Sequence, residues 1–287
     1  MTRALEPELI VDGFLFGEGP RWRDGRLWFS DMLAGVVYST SEDGTLSVEL
    51  ELPRPSGLGF LPDGSLLIAA REYRTPEGEL LRRPQLIRHA PSGDTQLLEL
   101  TDGSNLNDMV VAKNGDAYLN VYARVAPSGA DDIMLVRPDG SSAIVATDIR
   151  FPNGMAITPD GRTLLVAETR GDCISSYSIA ADGTLADRRV VATDVRTPDG
   201  LCLDAEGAVW TGSYSTGEFL RIDASGTVTD RVAVPDPQWA VAPMLGGHDR
   251  RTLYMITAET TIEGWPYGHS KGRIFQCRVG VEGVGLP

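Results

Sequence analysis

Four side chains recur at matched places in the sequence and carry oxygen chemistry suited to a hard cation: Glu18, Asn107, Asn153 and Asp199. Asn107, Asn153 and Asp199 are spaced by 46 and 46 residues, and Glu18 lies 89 residues, about two periods, before Asn107. Two carboxylates and two amides brought to one point can hold Ca²⁺, leaving positions for water, and the acids partly neutralise the ion. The set contains no His or Cys, so it is a poor tetrahedral zinc cage. A divalent cation is therefore expected, Ca²⁺ first, with Zn²⁺, Mn²⁺ or Mg²⁺ as alternatives. Asn-Gly and Asp-Gly pairs also open strands as ordinary turns, but Glu has no special turn role.

These residues need elements that bring them together. Asn153–Glu168 reads as an apolar run, a Pro159-Asp160-Gly161 turn and a second apolar run, which is a hairpin signal. The pattern recurs from Glu18, Ser56, Asn107 and Asp199, and in degenerate form from Ala242. A repeat of roughly 40 to 50 residues built only of short strands predicts a β-propeller. Six copies predict six blades, all-β, in a single domain spanning 1–287. The opening strand Leu9–Phe16 is expected to pair with the last blade and close the ring, because open sheet edges invite aggregation.

In such a blade the first strand lies nearest the axis and opens at one face of the ring. Glu18, Asn107, Asn153 and Asp199 should then share that face, forming a central metal site. The ends of the second strands should return beside them: Asp31, Arg71 with Tyr73, Asn120 with Tyr122, Glu168 with Arg170, Ser213 with Tyr214, and Thr257 with Glu259. Asn105, Asn107, Asp108, Arg71, Tyr122, Glu168 and Tyr214 are the candidate substrate contacts, with Arg124 and Arg170 as rim residues. Asp31 and Glu168 are candidates either for water around the metal or for pairing with a neighbouring Arg. Trp22, Trp28 and Trp210 read as inter-blade core, whereas Trp239 and Trp265 fall in loops that can line the mouth.

The chain has 287 residues and a formal net charge of −14, which disfavours nucleic acid and anionic membrane as partners. Three widely spaced cysteines, Cys173, Cys202 and Cys277, show neither a disulfide framework nor a zinc spacing. The first residues lack the apolar stretch of a signal peptide, and no run approaches 18 apolar residues. A reducing cytoplasm is the expected setting.

Glu18-Gly-Pro-Arg-Trp22, Asn107-Asp108, Pro152-Asn-Gly-Met-Ala156, Pro198-Asp-Gly-Leu201 and the tail Gly272-Arg-Ile-Phe275 occur in one order and phase. In this the sequence resembles the regucalcin/gluconolactonase (senescence marker protein) family, six-bladed metal-dependent lactonases. The resemblance implies that Glu18, Asn153 and Asp199 are metal ligands. It further implies that Asn107 contacts metal or substrate and that Asp199 doubles as general base. Family members that act on sugar lactones often carry an Arg two residues before the Asn-Asp pair. Here that position is Asn105, which suggests a less hydroxylated lactone.

The expected reaction is attack of water on a lactone carbonyl polarised by the cation, with Asp199 accepting the proton. A phosphotriesterase-like hydrolase, other metal-assisted carbonyl chemistry, or a non-catalytic metal-binding propeller are the alternatives on the same residues.

Overall fold

The computed structural model describes residues 3–71, 73–74, 80–81, 84–98, 100, 105–122, 131–235 and 238–286. Five antiparallel four-stranded sheets, and a six-stranded sheet with an antiparallel four-stranded centre, form six propeller blades. Their innermost strands are Gly17–Arg23, Pro55–Phe60, Asn105–Val111, Pro152–Ile157, Pro198–Asp204 and Gln238–Gly246. Each packs against the next around the axis, and the sixth returns to the first. These strands are buried on both sides, so they read as nearly continuous apolar runs rather than alternating ones.

Ring closure follows the expected route. Glu8–Phe14 pairs with Ser270–Arg278 as the outermost strand of the sixth blade, ending two residues earlier than the sequence suggests. Arg3–Ala4 adds a parallel strand at the outer edge of the fifth blade, and Gly283–Val284 pairs with Leu203 and Asp204 on its inner side. The only helical turns among the described residues are Thr169–Gly171 and Trp265–Tyr267, and no helix is long and apolar enough to cross a membrane.

Between blades the core divides into apolar clusters. Trp210 is wholly buried, Trp22 stacks on Tyr254 with ring centroids 5.3 Å apart, and Trp28 meets Phe60 edge-on. All three tryptophans thus serve inter-blade packing. The three cysteines are buried and form no disulfide. His89 bonds Thr95 across its own hairpin at 2.9 Å.

Every innermost strand is interrupted near its start by a register shift. The shifts fall between Glu18 and Arg21, Pro55 and Leu58, Leu106 and Met109, Pro152 and Met155, Pro198 and Leu201, and Ala240 and Ala242. A bulge bends the strand and re-aims a side chain. Asn107, Asn153 and Asp199 fall inside these irregular stretches, and Glu18 directly before one. Three of these strands are entered through a non-glycine residue with positive φ directly before a proline: Arg54 (49°), Phe151 (61°) and Thr197 (43°). Backbone strain of this kind is concentrated at functional faces.

Candidate metal centre and active site

The second strands return beside the openings of the first, as strand geometry requires. Asp31 pairs with Gly17, Ala70 with Pro55, Tyr122 with Asn105, Glu168 with Pro152, Ser213 with Pro198, and Glu259 with Gln238. One face of the ring therefore carries the four bulge residues and the second-strand ends together.

Glu18, Asn107, Asn153 and Asp199 are all buried. Asn107 Nδ2 donates to Asn153 Oδ1 at 3.3 Å and to the Tyr122 hydroxyl at 3.0 Å. Tyr122 in turn donates to the Pro152 carbonyl at 3.0 Å, and its ring stacks on Phe151 at 4.4 Å. Asn153 Nδ2 donates to Thr169 Oγ1 at 3.2 Å, and Thr169 donates to the Pro198 carbonyl at 2.7 Å. The two amides are thus tied into one network, in which Asn153 Oδ1 accepts from Asn107 and Asn107 Oδ1 accepts from Arg71 Nη2 at 3.4 Å. Thr169, directly after the second strand of the fourth blade, was not singled out in the sequence; only this tie between blades four and five reveals its role.

The acids are held at a cost. Burial pushes the Glu18 carboxyl well above its usual range, and the negative charges of Asp199 and Asp108 push it further; Arg71 and the Gly19 amide draw it partly back. Burial likewise raises Asp199 strongly, Asp108 adds to this, and a hydrogen bond from Asn153 opposes it. Asp199 Oδ1 is buried without a hydrogen-bond partner. Such an atom costs free energy unless something else satisfies it. A hard divalent cation fits: it supplies the missing contact, favours both ionised carboxylates, and accepts the neutral amide oxygens. Among the described residues no three His, Cys, Asp or Glu groups gather around one point, so a tetrahedral His/Cys cage is absent there.

The other candidates divide. Arg71 reaches the site, with Nη2 3.4 Å from Asn107 Oδ1 and its guanidinium over the Trp265 ring at 5.9 Å. Trp265 and Trp239 both pack edge-on against Phe16. Asn105 is half-buried at the opening of its strand, paired in register with Tyr122. Asp108 is buried just behind the ligand layer, where its Oδ1 takes Arg21 Nη2 at 3.3 Å and the Met109 amide at 2.8 Å. It therefore acts on the site through charge. Tyr214 sits at the rim, 5.2 Å from Trp239, in a groove shared with Val234 and Thr260. Tyr73 belongs to a short described strand, whereas Arg124 lies outside the described residues.

Glu168 needs a correction. It is wholly buried, with Oε1 bound by Ser175 at 2.5 Å and by Arg188 at 2.5 Å, and Oε2 by the Arg150 amide at 3.2 Å. The side chain points along the sheet to the outer strands, so both oxygens are occupied and neither meets the axis. Asp31 is likewise consumed, accepting the amides of Leu15, Phe16, Leu33 and Ala34. Arg170 lies over the far face of the Phe151 ring at 4.7 Å and buttresses the Tyr122 stack.

Residues 16–259 match the model of the SMP-30/gluconolactonase/LRE-like region. The chain belongs to this family. Among curated relatives, a 6-deoxy-6-sulfogluconolactonase of Pseudomonas putida is 26% identical, covering 95% of this chain and 94% of the relative. A pentonolactonase of Haloferax volcanii is 25% identical, covering 84% of this chain and 81% of the relative. Among solved structures, the calcium-binding protein regucalcin of Agrobacterium tumefaciens superposes with a TM-score of 0.77 at 21% identity, covering 100% of this chain and 99% of that one. That last likeness is one of fold. Homologues in the SMP-30/gluconolactonase family thus include lactonases acting on different lactones.

Proposed function

We propose that this chain, acting as one propeller domain, is a metal-dependent hydrolase that opens a lactone ring. Membership of a family with lactonase relatives supports the reaction class. The observation that carries the metal assignment is the unpartnered, buried Asp199 Oδ1 beside a second buried carboxylate, Glu18. Glu18, Asn153 and Asp199 would hold the cation, with Asn107 at its edge; the all-oxygen donor set favours Ca²⁺. A cation bound there would polarise the lactone carbonyl and stabilise the developing oxyanion.

The chain's own residues would do the rest. Burial raises the basicity of Asp199, which suits it to accept a proton from the attacking water at a carboxylate oxygen. The same carboxyl can return that proton to the alkoxide that leaves as the ring opens. Tyr122 and Thr169 fix the two amides, so the ligand oxygens need no reorganisation as charge develops. Phe16, Trp239 and Trp265 wall the mouth and limit bulk water.

The test is a panel of γ- and δ-lactones and aryl phosphotriesters, assayed with Ca²⁺ and with chelator. Chelator-sensitive opening of lactones is expected. Faster turnover of the phosphotriesters would reassign the reaction, and lactone opening indifferent to chelator would remove the metal from it.

A further inference from the structure

Arg71 follows the second strand of blade two and is anchored by its amide to the Arg54 carbonyl at 3.1 Å. Its guanidinium has five donors in a fixed fork. One nitrogen, Nη2, approaches Asn107 Oδ1 at 3.4 Å, and Nε is buried without a partner. Among the described residues Arg71 forms no ion pair, whereas the neighbouring buried Arg21 is matched by Asp108. The charges can be counted on the lactonase reading above, which this inference rests on. Glu18 and Asp199 would balance one divalent cation and Asp108 pairs with Arg21, whereas no described carboxylate forms an ion pair with Arg71, whose charge bears on Glu18 at longer range.

Placement says what that charge meets. Asn107 lies between Arg71 and Asn153, so the guanidinium stands one side chain outside the proposed ligand layer. The guanidinium is held between Asn107 and the Trp265 ring, 5.9 Å from the ring centroid. It suits a group carried on the substrate away from the ring carbonyl. We propose that Arg71 receives an anionic oxygen group of the substrate (a carboxylate, phosphate or sulfonate), so that the lactone opened here carries a negative charge.

The test uses matched δ-lactones, one neutral, one bearing a carboxylate and one a phosphate, with their non-hydrolysable lactams. Turnover is measured by kcat/KM, and lactam binding by calorimetry in the presence of Ca²⁺. Hydrogen bonds to a charged group predict that the parent binds the anionic lactams about 10- to 100-fold better than the neutral one. Arg71→Gln should erase that ratio by lowering binding of the anionic lactams more than that of the neutral one, and Arg71→Lys should keep part of it. Equal binding of all three lactams by the parent, or an equal loss for all three in Arg71→Gln, overturns the proposal. An intact lactam preference without opening of any lactone would support the anion subsite and defeat the lactonase reading. Lactone opening with no preference would do the reverse.

Discussion

Glu18 and Asp199 bring the same chemical group to the axis but are asked for different things. Glu18 supplies charge, so Glu18→Gln should weaken cation binding while leaving shape intact. Isothermal titration with Ca²⁺, Mn²⁺ and Zn²⁺ checks this, and unchanged affinity for all three would take Glu18 out of the site. Asp199 is assigned both a ligand oxygen and the proton acceptor. Asp199→Asn keeps an oxygen of similar size and loses the base. General-base assistance contributes about 10²- to 10⁴-fold in rate, so kcat at saturating metal should fall by roughly that factor. Asn153→Asp keeps the oxygen, adds charge, and should retain metal and part of the turnover. Recovery of kcat in Asp199→Asn with excess metal would make Asp199 a ligand only. The equivalent places of Asn107, Asn153 and Asp199 at the openings of innermost strands are readable in the sequence because their spacing repeats with the blade. Glu168 takes the Arg-pairing alternative and not a substrate contact: its register beside Pro152 brings its backbone to the site face without deciding where the side chain goes. Arg188, from the outermost strand of the same blade, decides that.

The hairpins were legible because their signals are local: apolar runs separated by Asp-Gly or Asn-Gly turns, whose glycines indeed take positive φ at Gly64, Gly115 and Gly161. The bulges were not, since they arise where six strands crowd one axis. Gly154 shows the crowding. A Cβ there would lie 2.5 Å from the Asp199 carbonyl oxygen and against the Leu201 amide, so the innermost strands of blades four and five touch backbone to backbone. Gly161, at the turn of the same blade, has φ of 73° and open space around it. The two glycines should therefore fail differently. Gly154→Ala must push the strand carrying Asp199 aside, at about 1 to 3 kcal/mol by analogy with overpacking, and should lower kcat and cation affinity together. Gly161→Ala is strained in its backbone and should lose stability, with kinetics unchanged. Urea unfolding combined with steady-state kinetics separates them. Loss of activity in both, or in neither, would remove the link between this packing and the site.

Across the ring, the proposed cation would join blades one, four and five through Glu18, Asn153 and Asp199, so binding and folding should be coupled. The direction of the pH dependence follows from the raised carboxyls. In the unfolded chain Glu18 and Asp199 titrate near their ordinary values, about 4. In the metal-free fold they hold their protons to higher pH. Between those limits the fold binds more protons than the unfolded chain, so metal-free stability must fall as pH rises through the window. Surface acids act the other way and earlier. Hydrogen bonds from Ser41 and Thr45 lower Asp43 to about 2, and Arg278 holds Asp249 low, so their contribution is complete once the pH exceeds the ordinary carboxyl range. Above pH 5 or so the axial pair should therefore dominate. Thermal unfolding in chelator is expected to show Tm declining from there toward neutrality. Ca²⁺ should raise Tm more at pH 7 than at pH 5, because at the lower pH it must displace protons. Asp199→Asn removes one of the two opposed charges, so it should flatten the metal-free decline and shrink the Ca²⁺ increment. A metal-free Tm that rises through the window, or an Asp199→Asn profile parallel to the parent's, would mean that these carboxyls do not govern the stability of the ring.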